Sequence, residues 1–429
     1  MDKFMNIMNK KLAPIAKAFD TNRYLDAIKN GFYGVMPFLI LGSFLLIFSN
    51  LPIGGYPEFM ASVFGEKWDR VFTIPYEATM SIMTLYVIMG AAKSLANYYK
   101  INTLNASISA VVAFVIATPF LSESEGATGI PTSAMGASGL FLGIIISILS
   151  VEILRFIEGK NLTIKMPASV PANISSSFTS LIPSFFVILV FTIVRLVFEN
   201  TSFETVQNFI YSILQEPLTN IGSSLPAMII INLFACLLWA FGIHGTVIIG
   251  AIMDPIWLSL TAGNAAAYAS GDVIPNIINT EFQSNFVQLG GAGCTLGLVL
   301  CMVFVAKSKQ YKTLGRLSVA PSFFNINEPV IFGTPIILNP IMLIPFVLST
   351  LVALLVTYFA MDIGLVPLTN GVNLPWTIPP IISGFLLSGW KGSVLQVFTT
   401  ILTTIIWYPF FKMSDSKAYS LESIQEGME

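Results

Sequence analysis

Ten stretches of this chain stay apolar over about the ~20 residues that a helix needs to cross a bilayer. They fall at 32–52, 74–97, 104–121, 136–157 and 178–198, then at 225–243, 246–262, 286–306, 341–361 and 393–411. Each predicts a transmembrane helix. Between 199 and 222 the pattern changes. Phe203, Val206, Phe209, Ile210, Ile213 and Leu214 recur at helical spacing among polar residues, which predicts an amphipathic helix on the outer membrane surface. The first thirty residues set Lys3, Lys10, Lys11 and Lys17 among Met, Ile, Leu and Phe. They read as a cytoplasmic amphipathic segment, because no small-residue cleavage site follows an apolar core as in a signal peptide.

Two further segments are apolar but interrupted. The first, 318–337, contains Phe323-Phe324-Asn325-Ile326-Asn327-Glu328-Pro329-Val330-Ile331-Phe332-Gly333-Thr334-Pro335. Pro329 lacks an N–H and disfavours helix at Glu328, and Gly333 and Pro335 break regularity again. The second, 376–390, runs from Trp376 to Trp390 and holds Pro379, Pro380 and Gly384.

Charge decides how these segments run. Lys93 and Lys100, then Arg155, Lys160 and Lys165, then Lys307, Lys309, Lys312 and Arg316 fall in alternate connections, on the side of the basic N-terminus. The opposite connections carry Glu123 and Glu125, Glu199, Glu204 and Glu216, and Asp272 and Glu281. Cytoplasmic loops are the basic ones. The stretch 307–316 and the start of the span at Ile341 therefore lie on the same side, so 318–337 enters and leaves by one face. If 376–390 crossed, Lys412 and Lys417 would end outside, so it too is re-entrant. The expected fold class is an all-α polytopic membrane protein with about ten transmembrane helices, two re-entrant hairpins and amphipathic surface helices.

The expected organisation is a cytoplasmic segment over 1–30, a scaffold half over 31–198, an amphipathic linker over 199–222, a transport half over 223–411 and a cytoplasmic tail over 412–429. The proline-rich stretch 166–174 makes a structured cytoplasmic connection. Of the 429 residues, 55% are hydrophobic and 10% charged, so no soluble domain fits between the spans and any water-phase chemistry belongs to another protein. The net charge of -2 says nothing about partners, and no basic patch suggests nucleic acid.

Against that background a carboxylate inside an apolar segment stands out. A charge at membrane depth costs several kcal/mol and persists only where it faces protein or a water-filled cavity. We read Glu328 as held at the tip of a re-entrant hairpin, the alternative being an ordinary polar loop. The chain's single histidine, His244, lies in Trp239-Ala240-Phe241-Gly242-Ile243-His244-Gly245, flanked by glycines that let backbone or ligand come close. A buried Glu with an imidazole can bind a hydroxyl, accept its proton or hydrogen-bond to it. Trp239, Trp376 and Trp390 lie near these segments, and sugars stack their C–H faces on such rings. An interfacial aromatic belt is the other reading of the same residues. Asn105, Asn173, Asn325 and Asn327 are candidates for further hydroxyl contacts.

Other features read as structural. Asp254 precedes Pro255 and suits a helix cap. Glu77 follows Pro75 and suits the first turn of its span. Gly290, Gly291, Gly293 and Gly297 predict a small-residue packing face on the eighth span, including a Gly-x-x-x-Gly pair. Cys236, Cys294 and Cys301 have no metal-ligand spacing and read as packing residues. The reading calls for no metal and no cofactor.

The stretches 324–333, 241–245 and 166–174 together resemble the enzyme IIC permease of the bacterial phosphoenolpyruvate-dependent sugar phosphotransferase system, in its lactose/cellobiose/diacetylchitobiose branch. The likeness runs over nearly the whole chain. It implies a homodimer of ten-span protomers in the bacterial cell membrane, with both termini cytoplasmic. The first five spans would make the dimer contact and the rest would hold one sugar. By this resemblance Glu328 and His244 sit near the sugar hydroxyl that becomes phosphorylated. The donor would be a phosphocysteine on a cytoplasmic IIB protein, charged through IIA and an HPr-type carrier. This chain would carry no phosphoryl group itself and would act as an enzyme only in that complex. The absence of an appended IIB domain points to the cellobiose or N,N'-diacetylchitobiose type, with a β-linked disaccharide as substrate. The rival is a proton-coupled sugar symporter with Glu328 as proton site. A passive channel or a purely structural membrane subunit fits less well with polar groups confined to broken helices.

Overall fold

The computed structural model describes residues 21–49, 55–122, 128–167, 169–240, 244–334, 336 and 339–426. The expected N-terminal amphipathic segment falls mostly outside them, as do Glu123, Glu125 and the Phe241-Gly242-Ile243 part of the histidine motif. The described chain is helical apart from loops and one antiparallel pair of two-residue strands, β1 Leu121–Ser122 and β2 Thr128–Gly129. It divides into two compact units.

The first unit contains the described residues up to Ser49, together with Pro57–Asn220 and Gly250–Ala262. Its helices are α1 (Arg23–Ser49), α2 (Tyr56–Phe64), α3 (Arg70–Thr79), α4 (Met83–Tyr99), α5 (Thr103–Ala117), α6 (Leu140–Gly159) and α7 (Ala172–Glu199). They are followed by α8 (Val206–Gly222), with a π-helical turn at Tyr211–Gln215. Small residues let these helices meet closely. Ala92, Ala96, Ala106, Ala110 and Ala113 are fully buried. A Cβ on Gly90 would lie 2.9 Å from the Cα of Gly31, which brings α4 against α1. Polar groups hold the helix ends together. Glu152 of α6 accepts from Tyr24, Tyr99 and Arg155, and the Arg155 guanidinium lies 4.2 Å from the Tyr99 ring centroid.

The second unit takes Ile221–Ile249 and the chain from Gly263 onward. It is built from α9 (Leu225–Ala240), α10 (Gly245–Ser270), α11 (Leu296–Val305), α12 (Lys309–Phe323), α13 (Glu328–Gly333), α14 (Pro340–Asp362) and α15 (Ile382–Glu426). Helix α10 lends its middle, 250–262, to the first unit. Leu298, Met302, Val330, Phe346, Trp407 and Phe411 form the core.

Five described helices are long and apolar enough to cross a membrane, or seven if two bent pairs each count as one span. One pair is α8 with α9. The other corrects an expectation. Residues 286–306 are not one helix: a π-helical turn at Phe282–Val287 and a 3-10 turn at Ala292–Cys294 precede the ten-residue α11. The predicted glycine face fails with it. Gly290, Gly291 and Gly293 have φ of 75°, 92° and 78°, so they serve a left-handed backbone path open chiefly to glycine. Gly297 does pack as expected, since its Cβ would lie 2.8 Å from the backbone nitrogen of Thr404 on α15.

Four other expectations change. Glu77 lies late in α3, the first part of the 30-residue apolar stretch Arg70–Tyr99 counted above as one span, rather than in a first turn. Asp254 caps nothing, because α10 continues through Pro255, whose missing N–H interrupts no more than one turn. Glu281, expected on an outer loop, is fully buried. The tail after residue 411 is a continuation of α15 to Glu426 rather than a loose end. Its Asp415 accepts from the backbone N–H of Lys307 and Ser308, and its Glu422 from those of Lys309 and Gln310. These are the donors a helix N-terminus leaves unpaired, so the tail caps α12 from across the unit.

Candidate functional site

Helix α12 ends in a turn that the sequence dictates residue by residue. The Ile326 N–H bonds back to the Pro321 carbonyl at 3.0 Å and that of Asn325 to Ser322 at 3.1 Å, with Asn325 at φ 60°. This double closure needs a left-handed residue, a role asparagine tolerates. The chain then reverses into α13, which opens at Glu328 with Pro329 in its first turn, where a missing N–H costs nothing. A Cβ on Gly333 would lie 2.5 Å from the Leu314 side chain, so α13 packs back along α12 as a helical hairpin.

The asparagines hold this turn in place. Asn325 Oδ1 accepts from Gly290 N at 2.8 Å, while its Nδ2 donates to the carbonyls of Trp376 at 2.6 Å and Ile378 at 3.1 Å. Asn327 Nδ2 donates to Ala292 O at 2.8 Å. Both side chains are buried. The left-handed glycines are what bring this backbone close enough, as a Cβ on Gly291 would lie 2.5 Å from Asn327 Cγ.

His244 comes from the other side of the second unit, at the N-terminus of α10. Gly245 is required there, because its Cβ would lie 2.1 Å from the Ala235 carbonyl oxygen of α9. The imidazole rests on Trp239, with ring centroids 4.2 Å apart. Its Nδ1 pairs with Thr246 Oγ1 at 3.0 Å and its Nε2 lies 3.8 Å from Glu328 Oε1. The two side chains are about half exposed, 46% for His244 and 44% for Glu328. When Thr246 donates to Nδ1, the neutral ring carries its proton on Nε2, facing the carboxylate. The 3.8 Å gap exceeds a direct hydrogen bond, yet a hydroxyl oxygen fits about 2.8 Å from both atoms.

The second interrupted segment also folds back on itself. Residues 382–387 continue α15 only across a break at Ser388 and Gly389, the latter with φ 67°. Gly384 and Gly392 approach so closely that a Cβ on Gly392 would lie 2.3 Å from the Gly384 carbonyl oxygen. Gln396, fully buried, ties the turn: its Oε1 accepts from Ile381 N and Gly384 N, and its Nε2 donates to Asn285 O and Ser383 Oγ.

Of the residues singled out from sequence, the structure thus brings His244, Glu328, Trp239, Asn325, Asn327 and Trp376 into one unit. Trp376 is half exposed and Trp239 only 2% exposed, so the latter backs the imidazole instead of offering a face. Asn105 belongs to the first unit, where its side-chain carbonyl accepts from Ser184 Oγ at 3.1 Å. Asn173 lies in the first turn of α7 in that same unit, and its side chain is outside the described residues. Thr246, Asn285 and Gln396 escaped the sequence reading, and Glu281 entered it only as an outer-loop acid. Gln396 alone offered a signal, a lone amide inside an apolar run. Among the described residues no cluster of His, Cys, Asp or Glu could hold a metal ion, and the three cysteines are buried and unbridged.

A helical membrane protein that sets an acid from the turn of a helical hairpin against an imidazole from the start of another helix has the groups needed to bind a polar solute. The profile of the family described as "Phosphotransferase system, EIIC" matches residues 29–350. The lichenan permease IIC component of Bacillus subtilis (strain 168) is 42% identical over 99% of this chain and 96% of its own length. The cellobiose-specific EIIC component of Geobacillus stearothermophilus is 42% identical over 97% of this chain and 95% of its length. The crystal structure of the transporter ChbC, the IIC component from the N,N'-diacetylchitobiose-specific phosphotransferase system, superposes with a TM-score of 0.93 at 43% identity, covering 97% of this chain and 99% of that one. The chain belongs to the EIIC family, the membrane permease components of the sugar phosphotransferase system.

Proposed function

We propose that this chain takes up a β-linked disaccharide of the cellobiose or N,N'-diacetylchitobiose type and presents its 6-hydroxyl to a cytoplasmic phospho-IIB protein. The observation that carries the reading is the 3.8 Å separation of His244 Nε2 and Glu328 Oε1, both half exposed. A sugar hydroxyl seated between them accepts from Nε2–H and donates to the carboxylate. Trp376 supplies a half-exposed ring for the sugar face. Asn325 and Asn327 act as positioning residues, since their amides are committed to backbone partners.

Phosphoryl transfer depends chiefly on positioning and charge stabilisation. The hydroxyl oxygen attacks the phosphorus of the phosphocysteine on IIB, the S–P bond breaks as the O–P bond forms, and the hydroxyl proton passes to Glu328. Once Glu328 releases that proton, the product, with about two negative charges at neutral pH, is repelled by the restored carboxylate and leaves inward. IIA and an HPr-type carrier recharge IIB. The protomer has ten spans with re-entrant segments at 318–337 and 376–390, and works as a homodimer through its first half, with both termini in the cytoplasm.

The test is Glu328→Gln in membrane vesicles supplied with IIB, IIA and a phosphoryl source. This substitution keeps shape and hydrogen bonding but removes the base, so phosphorylation of the disaccharide is expected to fall to background while sugar binding persists. Near-normal turnover would remove Glu328 from the reaction.

A further inference from the structure

Glu281 is a carboxyl group with no exposure, on a segment that composition assigned to an outer loop. Its Oε1 accepts from the backbone N–H of Leu374 at 3.3 Å and its Oε2 from Asn285 Nδ2 at 2.7 Å. Neither partner is a cation. A carboxyl group taken out of water costs several kcal/mol unless its oxygens are satisfied, so its presence needs a reason beyond packing. The reason lies in what it holds. Leu374 is two residues before Trp376, the ring assigned above to the sugar face. From the other side, the carbonyl of Trp376 accepts from Asn325, three residues before Glu328. The same Asn285 that donates to Glu281 accepts, through its main-chain carbonyl, from Gln396, which pins Ile381 and Gly384. Upstream, Asn279 Nδ2 donates to Thr369 Oγ1 and Asn264 Nδ2 to Thr369 O, fixing the start of the same segment. The stretch from Thr369 to Gly384 thus hangs on buried side chains from four parts of the chain, and Glu281 is the attachment nearest the Trp376 ring on its N-terminal side.

We infer that Glu281 is a positioning residue that sets the distance between the Trp376 ring and the Glu328–His244 pair, and through it the fit of the sugar. This rests on Trp376 facing the sugar. Glu281 touches no substrate; it acts through Leu374 and the chain that carries the indole.

The experiment has two readouts on purified full-length protein in detergent or lipid. The first uses no sugar. Trp376→Cys is labelled with a thiol reagent, alone and combined with Glu281→Ala or Glu281→Gln. Releasing the Leu374 anchor is expected to speed labelling at 376 several-fold in the Ala variant, whereas Gln, which keeps an acceptor for Leu374 N and can donate its amide N–H to Asn285 Oδ1 once that side chain turns over, restores the parental rate. Cys236, Cys294 and Cys301 are buried; their continued resistance to the reagent shows that the effect is local, whereas a general loosening would expose them as well. The second readout is disaccharide affinity with Trp376 intact, expected to weaken about tenfold in Glu281→Ala and less than about twofold in Glu281→Gln. Equal labelling rates in the parent and Ala variants would overturn the inference, and so would faster labelling with unchanged affinity. A parent protein that binds no disaccharide would instead contradict the proposed function, while the labelling still decides whether Glu281 holds residue 376.

Discussion

Asp415, near the end of the last helix, accepts hydrogen bonds from Ser308 N at 3.0 Å and Ser308 Oγ at 2.8 Å, more than a hundred residues away in sequence. Ser308 is itself the N-cap of α12, its hydroxyl accepting from Tyr311 N. The C-terminal helix therefore sets where α12 begins, and fifteen residues later α12 ends at the turn that carries Glu328. Asp415→Ala removes three acceptor contacts from a site that is 3% exposed. Leaving such donors unsatisfied costs about 1–3 kcal/mol. We expect a lower thermal midpoint for the purified protein, with Asp415→Asn, which keeps one acceptor oxygen, falling between.

The turn at Asn325 separates conformation from hydrogen bonding. Asn325→Gly retains the left-handed backbone but loses the contacts to Gly290, Trp376 and Ile378. Asn325→Ala loses the same contacts and adds roughly 1–2 kcal/mol for a left-handed alanine. Chemical denaturation is expected to rank the stabilities wild type, Gly, Ala, and disaccharide affinity to follow the same order. Equal stability of the Gly and Ala variants would mean that the turn does not hold residue 325 left-handed.

Gly291 and Gly364 share positive φ, 92° and 72°, but only Gly291 has a close neighbour. Gly364→Ala meets open space and is expected to cost about 1 kcal/mol from backbone strain alone. Gly291→Ala drives a methyl group against Asn327 and displaces the α12–α13 turn, so it is expected to lose sugar binding in an equilibrium binding assay. Retained binding in Gly291→Ala would uncouple the glycine loop from the site.

How far the sequence foretold this arrangement follows from the kind of signal each residue leaves. Glu328 and His244 were legible because ionisable groups are rare in apolar runs, and the interruptions at Pro329, Gly333, Pro379 and Gly384 were legible because proline and glycine act locally. The partner of a buried polar side chain is a different matter. Glu281 looked like a loop acid because hydropathy counts charges without seeing that Leu374 and Asn285 meet it. The stripe of Gly290, Gly291 and Gly293 has the same spacing whether it faces a helix or bends the backbone left-handed, so sequence favoured the helix and the structure shows the bend. Asp415 and Glu422 lie two turns apart on one helix face, but nothing in a polar tail announces that its partners are backbone donors of α12.

His244 invites a kinetic test that differs from that of Glu328. If the imidazole donates to the sugar oxygen, His244→Ala lowers kcat for phosphorylation by about 10²–10⁴. Thr246→Val removes the Nδ1 partner without touching the sugar and is expected to reduce the rate more modestly by releasing the ring. Vesicle phosphorylation assays over a range of disaccharide concentrations would report both. A Thr246→Val loss as large as that of His244→Ala would mean that the threonine itself contacts substrate.

The most direct measurement is the chemical state of disaccharide accumulated by vesicles containing this chain, with IIB, IIA and a phosphoryl source supplied inside. The account predicts sugar carrying phosphate on its 6-oxygen, no accumulation when IIB is omitted, and no sensitivity to an uncoupler. Accumulation of unmodified sugar that collapses when the proton gradient is discharged would contradict it and make Glu328 the proton site of a symporter.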